Sequence, residues 1–170
     1  MDFITSFPRT KRGNNAIFVV IDRLSKVAHF LPVRESITAS LLADLYISRI
    51  VSLHGVPLEI NSDRGSLFTS RFWESFQNAM GTRLSFSTAF HPQSSGQVER
   101  VNQILEDMLR ASVISFGMGW EKCLPFAGFA YNNSYQASLV KAPFEVLMDE
   151  NVERLLTGQK PGKDNSLARI

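Results

Sequence analysis

The sequence predicts a mixed α/β domain in which five strands form one sheet flanked by helices. Three observations carry this. Two runs rich in β-branched and aromatic residues, "AIFVVID" and "KVAHFLPV", follow each other across the short turn "RLS". The apolar spacing then switches to a helical period in "TASLLADLYISRIVSLHG". After it, strand-like and helix-like segments alternate. Strands, helix, strand, helix, strand and closing helices make a sheet of mixed direction.

Each element has its own signal. "MDFITSF" reads as a first strand stopped at Pro8, and "RTKRGNN" as the turn that follows. With "AIFVVID" and "KVAHFLPV" it forms an antiparallel meander. In the first helix Leu42, Leu45, Tyr46, Ile50 and Leu53 recur on one face; Thr38 caps the start and Gly55 ends it. "PLEINSD" is a fourth strand. "SRFWESFQNAMG" is a short helix with Phe72, Phe76 and Ala79 turned inward, and "TRLSFST" is the fifth strand. A polar loop, "HPQSSGQ", precedes a long helix from about residue 95 to 114. That helix carries Val98, Val101, Leu105 and Met108 on its apolar side and Glu99, Gln103, Glu106 and Arg110 on the other. Another helix covers roughly 119–134, and a short one follows Pro143. Residues 1–150 are expected to form the domain and 151–170 a loose tail.

Composition narrows the function classes. The 170 residues are 44% apolar and 20% charged, with 13 Phe and 2 Trp, which suits a single globular domain with a filled core. Net charge is only +2. The basic residues are uneven, however: Arg9, Lys11, Arg12, Arg23, Lys26 and Arg34 face only Asp2 and Asp22 in the first 34 positions. Cys123 is the single cysteine, so no intrachain disulfide forms and no Cys-based zinc site closes. This fits a reducing compartment, nuclear or cytoplasmic. No signal peptide and no apolar run near 18 residues is present, so the chain is expected neither to be secreted nor to span a membrane.

Two carboxylates stand where α/β sheets gather their sites, at strand ends and helix starts. Asp63 directly follows the fourth strand, and Glu99 lies on the helix after the fifth, with 35 residues between them. Asp2 is a third candidate, within the first strand. Residue type alone favours a turn or cap for Asp63 and a solvated helix position for Glu99. With 16 acidic residues in 170, carboxylates at any two positions are common.

The wider pattern adds specificity. From Met1 to about Met148 the blocks "MDFI", "VVIDRLSKVAHF", "LHGVP", "SDRGSLFTSRFW", "STAFHPQSSGQVERVN", "LEDMLR", "FAYNNS" and "APFEVL" occur in order. In this the chain resembles the integrase catalytic core of gypsy-type long-terminal-repeat retrotransposons, kin of retroviral integrases. The resemblance implies the RNase H-like fold, two divalent metal ions (Mg²⁺ or Mn²⁺), DNA as substrate and a homodimer or higher oligomer. By position it implies that Asp2, Asp63 and Glu99 are the catalytic and metal-binding carboxylates. The activity implied is 3′-end processing followed by strand transfer of element DNA into target DNA. Physical chemistry agrees with the residue types. Hard oxygen ligands suit Mg²⁺, and two such ions can stabilise both the attacking and the leaving oxygen of an in-line displacement. Without cations, each carboxylate pair at 4 Å costs on the order of 4 kcal/mol at an effective dielectric of 20.

Other positions are candidates of lesser weight. Asn102 follows Glu99 by one helical turn and is a candidate to approach substrate or to support a ligand. Ser94 and Gln97 are candidate nucleic-acid contacts, with helix capping the competing role for Ser94 or Ser95. Arg64 is a candidate phosphate contact or structural ion pair. His91 and Pro92 shape the loop, and residues 88–96 are expected to be the most mobile internal segment. Trp73, Phe76 and Trp120 are core or subunit-contact residues.

The chain also departs from the family. Ser95 stands where an acidic residue is more frequent, and "MDENVERLL" replaces a Tyr-Gly-Arg segment. Met1 directly precedes Asp2, so the expectation is a first strand truncated at its N-terminal side, with Asp2 prone to fray. Two alternatives stay open: a catalytically inactive, retrotransposon-derived module for DNA binding or dimerisation, and an RNase H-like ribonuclease acting on RNA–DNA hybrids.

Overall fold

The computed structural model describes residues 1–86 and 92–149, with the side chains of 92–95 and 97 outside the described set. The tail expected at 151–170 and the loop residue His91 also lie outside it. The strands are β1 (Asp2–Ile4), β2 (Ala16–Ile21), β3 (Ala28–Val33), β4 (Glu59–Ser62) and β5 (Arg83–Phe86). The helices are α1 (Ala39–Tyr46), α2 (Ser52–His54), α3 (Arg71–Ala79), α4 (Pro92–Phe116) and α5 (Trp120–Asn133), and residues 143–149 are helical as well.

The expected meander is present. β1 and β3 both pair with β2 antiparallel, in registers Asp2↔Val19 and Ala16↔Val33. β4 and β5 pair in parallel, Glu59 with Arg83 through Ser62 with Phe86. A parallel pair needs a crossover, and α3 lies within it. The five strands thus form ladders of three and two. They are tied where the Met1 amine donates to Asn61 O at 2.6 Å, which sets the start of β1 beside β4. Asp2 is held in a paired strand, where the sequence led us to expect fraying.

β2 has no exposed face. Ala16, Phe18 and Val20 enter one core with Leu42, Tyr46, Ile50, Ile60, Phe68 and Trp73. Ile17, Val19 and Ile21 enter a second core with Val101, Leu105, Leu109, Trp120, Cys123 and Leu124. Alternation of side chains along a strand therefore splits one apolar run between two helical layers.

The first helix starts as expected, with Leu41 N–H donating to Thr38 Oγ1, and ends at Gly55, whose φ is +80°. Its middle differs. Residues Ile47–Val51 take a π-helical turn. The wider turn changes the phase of the apolar face. Leu42, Tyr46 and Ile50 are fully buried, whereas Leu53, expected on the same face, is 67% exposed. The α3 face is also rotated. Trp73 and Gln77 are fully buried, while Phe72 is 49% exposed and Ala79 is exposed. Capping by Ser70, whose Oγ accepts from Trp73 N–H, sets that phase and brings Trp73 against Tyr46 and Phe68. α4 starts at Pro92, a few residues before the expected 95, so 92–96 are helix rather than loop. A proline is well suited to a first helical turn, where no N–H is needed.

Polar ties fasten the layers. Asn132 on α5 accepts from Ala28 N–H and donates to Ala28 O, both at 2.9 Å, so an amide covers this backbone position of β3. Trp120 Nε1 donates to Pro8 O, and its ring packs on Phe7. His29 on β3 and His54 at the end of α2 share a 2.7 Å hydrogen bond between their Nε2 atoms. Burial, and then the neighbouring His54, push His29 down to about 4, against a weaker opposing pull from Asp22. His54 is lowered as well, chiefly by burial.

This pair makes stability pH-dependent with a definite sign. Between about pH 6.5 and 4 the unfolded chain protonates at His29 while the folded chain resists, so stability is lost as pH falls through that window. We expect a loss of roughly 1 kcal/mol between pH 7 and 5, allowing for partial exposure of the pair. Urea unfolding of wild type and His29→Gln checks it: the variant should show a clearly flatter profile, and identical slopes would refute the linkage.

Candidate metal centre

Asp2 is half-buried at the start of β1. Its Oδ1 accepts from the Phe3 N–H at 2.8 Å and its Oδ2 from Asn102 Nδ2 at 2.7 Å. Burial raises its carboxyl above the usual range. The two hydrogen bonds and the Met1 amine oppose that rise, and the charge of Asp63 adds to it. Asp2 and Asp63 are therefore close enough to feel each other. β1 delivers one and the end of β4 the other, and the Met1–Asn61 bond aligns the two strands.

Asp63 is exposed and begins a short turn, with its Oδ1 accepting from Gly65 N–H at 3.1 Å. A Cβ on residue 65 would stand 3.1 Å from that same oxygen. Glycine leaves room for the carboxylate to fold back over the backbone; a larger residue would press the Asp63 side chain aside by a few tenths of an ångström. Sequence reasoning passed over Gly65; the Asp-x-Gly spacing of an Asx-type turn was its visible signal.

Glu99 is exposed on α4, one turn before Asn102. Positions three apart share a helix face, so the helix that carries Glu99 is the one docked onto Asp2 through Asn102. The three carboxylates are not gathered into one set. Among the described residues, no group of three or more His, Cys, Asp or Glu side chains is close enough to hold a metal ion. Asp2 and Asp63 are within electrostatic reach of each other, and Glu99 is exposed on the helix that Asn102 ties to Asp2. Asn102 binds Asp2 rather than facing solvent, and its Oδ1 is buried with no hydrogen-bond partner among the described residues. Arg64 is exposed and takes part in neither ion pair found among the described residues. The side chains of Ser94 and Gln97 lie outside the described set.

The donor set fits a hard divalent cation. The Asp2 and Asp63 carboxylates and the buried Asn102 amide oxygen, which has no partner among the described residues, are oxygen donors of the kind Mg²⁺ and Mn²⁺ prefer.

An antiparallel three-stranded ladder and a parallel two-stranded one between helical layers, with Asp2 opening β1 and Asp63 directly after β4, form an RNase H-like domain. Comparison with known proteins specifies it further. The family model "Integrase core domain" matches residues 1–92, more than half the chain, and the chain belongs to that family. The polyproteins of transposons Tf2-3 and Tf2-4 of Schizosaccharomyces pombe are each 37% identical over 147 residues, covering 86% of this chain. The chain spans only 11% of the length of these relatives. Among solved structures, the BIV integrase catalytic core superposes with a TM-score of 0.70 at 23% identity, covering 91% of this chain and 96% of that one. The HTLV-2 integrase catalytic core in complex with magnesium gives 0.68 at 19%, covering 85% and 93%. The simian T-cell lymphotropic virus intasome gives 0.71 at 20%, covering 85% and 52%. The resemblance to retrotransposon integrase cores seen in the sequence is borne out.

The Asn102–Asp2 tie is open to direct measurement. Hydrogen bonds to charged groups contribute about 1.5–3 kcal/mol. A double-mutant cycle of Asp2→Ala and Asn102→Leu in urea unfolding should return a coupling energy of about 1–2 kcal/mol. A coupling near zero would show that α4 is not fastened to β1 at this point.

Proposed function

We propose that this chain is the DNA-joining core of a retrotransposon integrase, carrying out 3′-end processing and strand transfer on Mg²⁺ or Mn²⁺. The observation that supports it best is that Asn102, on the helix that bears Glu99, holds Asp2, which also feels the charge of Asp63 at the end of β4. Asp2, Asp63 and Glu99 would hold two ions, Glu99 swinging in from its exposed position. The ions, when bound, supply the positive charge that stabilises the attacking and leaving oxygens of the phosphodiester.

The residues supply placement. Phe3 N–H and Asn102 each engage one Asp2 oxygen, which leaves the remaining lone pairs of the carboxylate free to ligate. The Gly65 N–H orients Asp63 in the same way. No covalent protein intermediate is required: water attacks first, and the freed 3′ hydroxyl attacks the target phosphodiester afterwards. Arg64, Ser94 and Gln97 are assigned to DNA contact.

The core is assigned to residues 1–150, with 151–170 as a tail, and its work to the nucleus or cytoplasm. Among the described residues no helix is long and apolar enough to cross a membrane. Self-association is part of the proposal. Phe126 and Phe129, three residues apart on α5, are each 66% exposed, a placement that fits a second copy. HTLV-2 integrase cores have been solved in dimeric and trimeric forms.

Metal binding gives the test. A ligand present at 100 times its Kd stabilises the fold by about 2.7 kcal/mol. Mn²⁺ should raise the Tm of the wild type, and Asp63→Asn should remove most of that rise while slightly stabilising the metal-free chain. On synthetic element ends, the wild type should join DNA with Mn²⁺ and Glu99→Gln should not. Metal binding without joining would favour the inactive DNA-binding module, and cleavage confined to RNA–DNA hybrids would favour the ribonuclease.

A further inference from the structure

The turn between β1 and β2 collects charge that the carboxylate centre does not use. Arg9, Lys11 and Arg12 are exposed on it, and Arg34, from the end of β3, folds back onto it. Arg34 Nη2 donates to Arg12 O, and its guanidinium lies against Gly13, where a Cβ would stand 3.1 Å from Nε. Gly13 has φ +85°, so both the backbone and the packed guanidinium call for glycine. Two carboxylates are nearby. Glu121 pairs loosely with Arg12 at 3.6 Å and accepts from Asn14 Nδ2, and Glu35 accepts from Asn15 Nδ2. Among the described residues neither Arg9, Lys11 nor Arg34 takes part in an ion pair.

The turn is also firmly built. Gly13 N–H donates to Thr10 O, Thr10 N–H to Asn14 O, and Phe7 N–H to Asn15 O. From outside, Trp120 Nε1 clamps Pro8 O and Asn15 N–H donates to Val33 O. Four cations are thus presented on a braced hairpin rather than on a loose loop. Such a platform loses little entropy on meeting a row of phosphates.

We propose that this turn, through Arg9, Lys11 and Arg34, is a contact for the phosphate backbone of duplex DNA, separate from the carboxylate centre. It rests on the DNA reading above. The register Asp2↔Val19 to Ile4↔Ile17 puts the turn at the opposite end of the β1–β2 hairpin from Asp2. Arg9 lies seven positions after Asp2, at most about 23 Å of extended chain. About seven base pairs of one duplex cover that distance, at about 3.4 Å each. The contact carries no sequence preference, because phosphates bear none.

The experiment is duplex binding by fluorescence anisotropy across a salt series, on an element-end sequence and on an arbitrary one. Arg9→Glu/Lys11→Glu should weaken binding at least tenfold on both duplexes and flatten the slope of log K against log salt by about 2, near 0.9 per phosphate lost. The milder Arg9→Gln/Lys11→Gln should flatten the slope similarly with a smaller loss of affinity. The control Arg49→Glu/Arg71→Glu makes the same charge change on the opposite helical layer and should leave the slope intact. Thermal unfolding should be unchanged in all three, since none of these side chains packs in a core. An unchanged slope in the turn variants, or an equal change in the control, overturns the proposal while leaving the DNA-joining reading standing. A wild-type chain that binds neither duplex overturns both.

Discussion

β2 is the constraint on which the remaining structure depends. Six consecutive residues, Ala16 to Ile21, are all buried, and their side chains alternate between two cores. A strand in that position must be covered on both faces and paired on both edges. Coverage brings α1 and α3 to one side and α4 and α5 to the other. Pairing brings β1 and β3. Once β1 is fixed against β2, the position of Asp2 follows from register, because it sits opposite Val19.

The candidate centre is built from the edges of this arrangement. β4 shares no ladder with β1 and is joined to the start of β1 by the Met1–Asn61 bond, so Asp63 lies beyond the end of a separate two-stranded ladder. The α4 layer reaches Asp2 through Asn102. Its amide contributes a favourable bond to a carboxylate that burial and Asp63 both disfavour. A carboxyl raised by burial beside another carboxylate is the kind of feature that marks functional sites. The same layer supplies Trp120, which braces the far end of the β1–β2 hairpin. The sheet therefore carries its carboxylates at one end and its concentrated positive charge at the other.

Most of the polar ties that set the geometry join distant parts of the chain. Asn132 with Ala28, His29 with His54, and Asn102 with Asp2 each connect separate elements. None belongs to a local pattern. Directional bonds of this kind pin helix to sheet more specifically than apolar packing does.

The sequence by itself determined the order of the five strands and the main helices, the meander, the buried character of β2, the Thr38 cap and the apolar side of α4. All of these are local, since they rest on periodicity and capping within a few residues. It also marked Asp63 and Glu99 as candidates by placement and all three carboxylates by family resemblance. Only the tertiary structure decided which face of α3 turns inward, that a π-helical turn expels Leu53, that α4 begins at Pro92, and that Asn102 grips Asp2 while Glu99 stays exposed. Those outcomes depend on where another layer lies. Small shifts in helix phase and side-chain hydrogen bonds between residues a hundred positions apart leave no periodic trace in the chain, so no reading of local spacing can supply them.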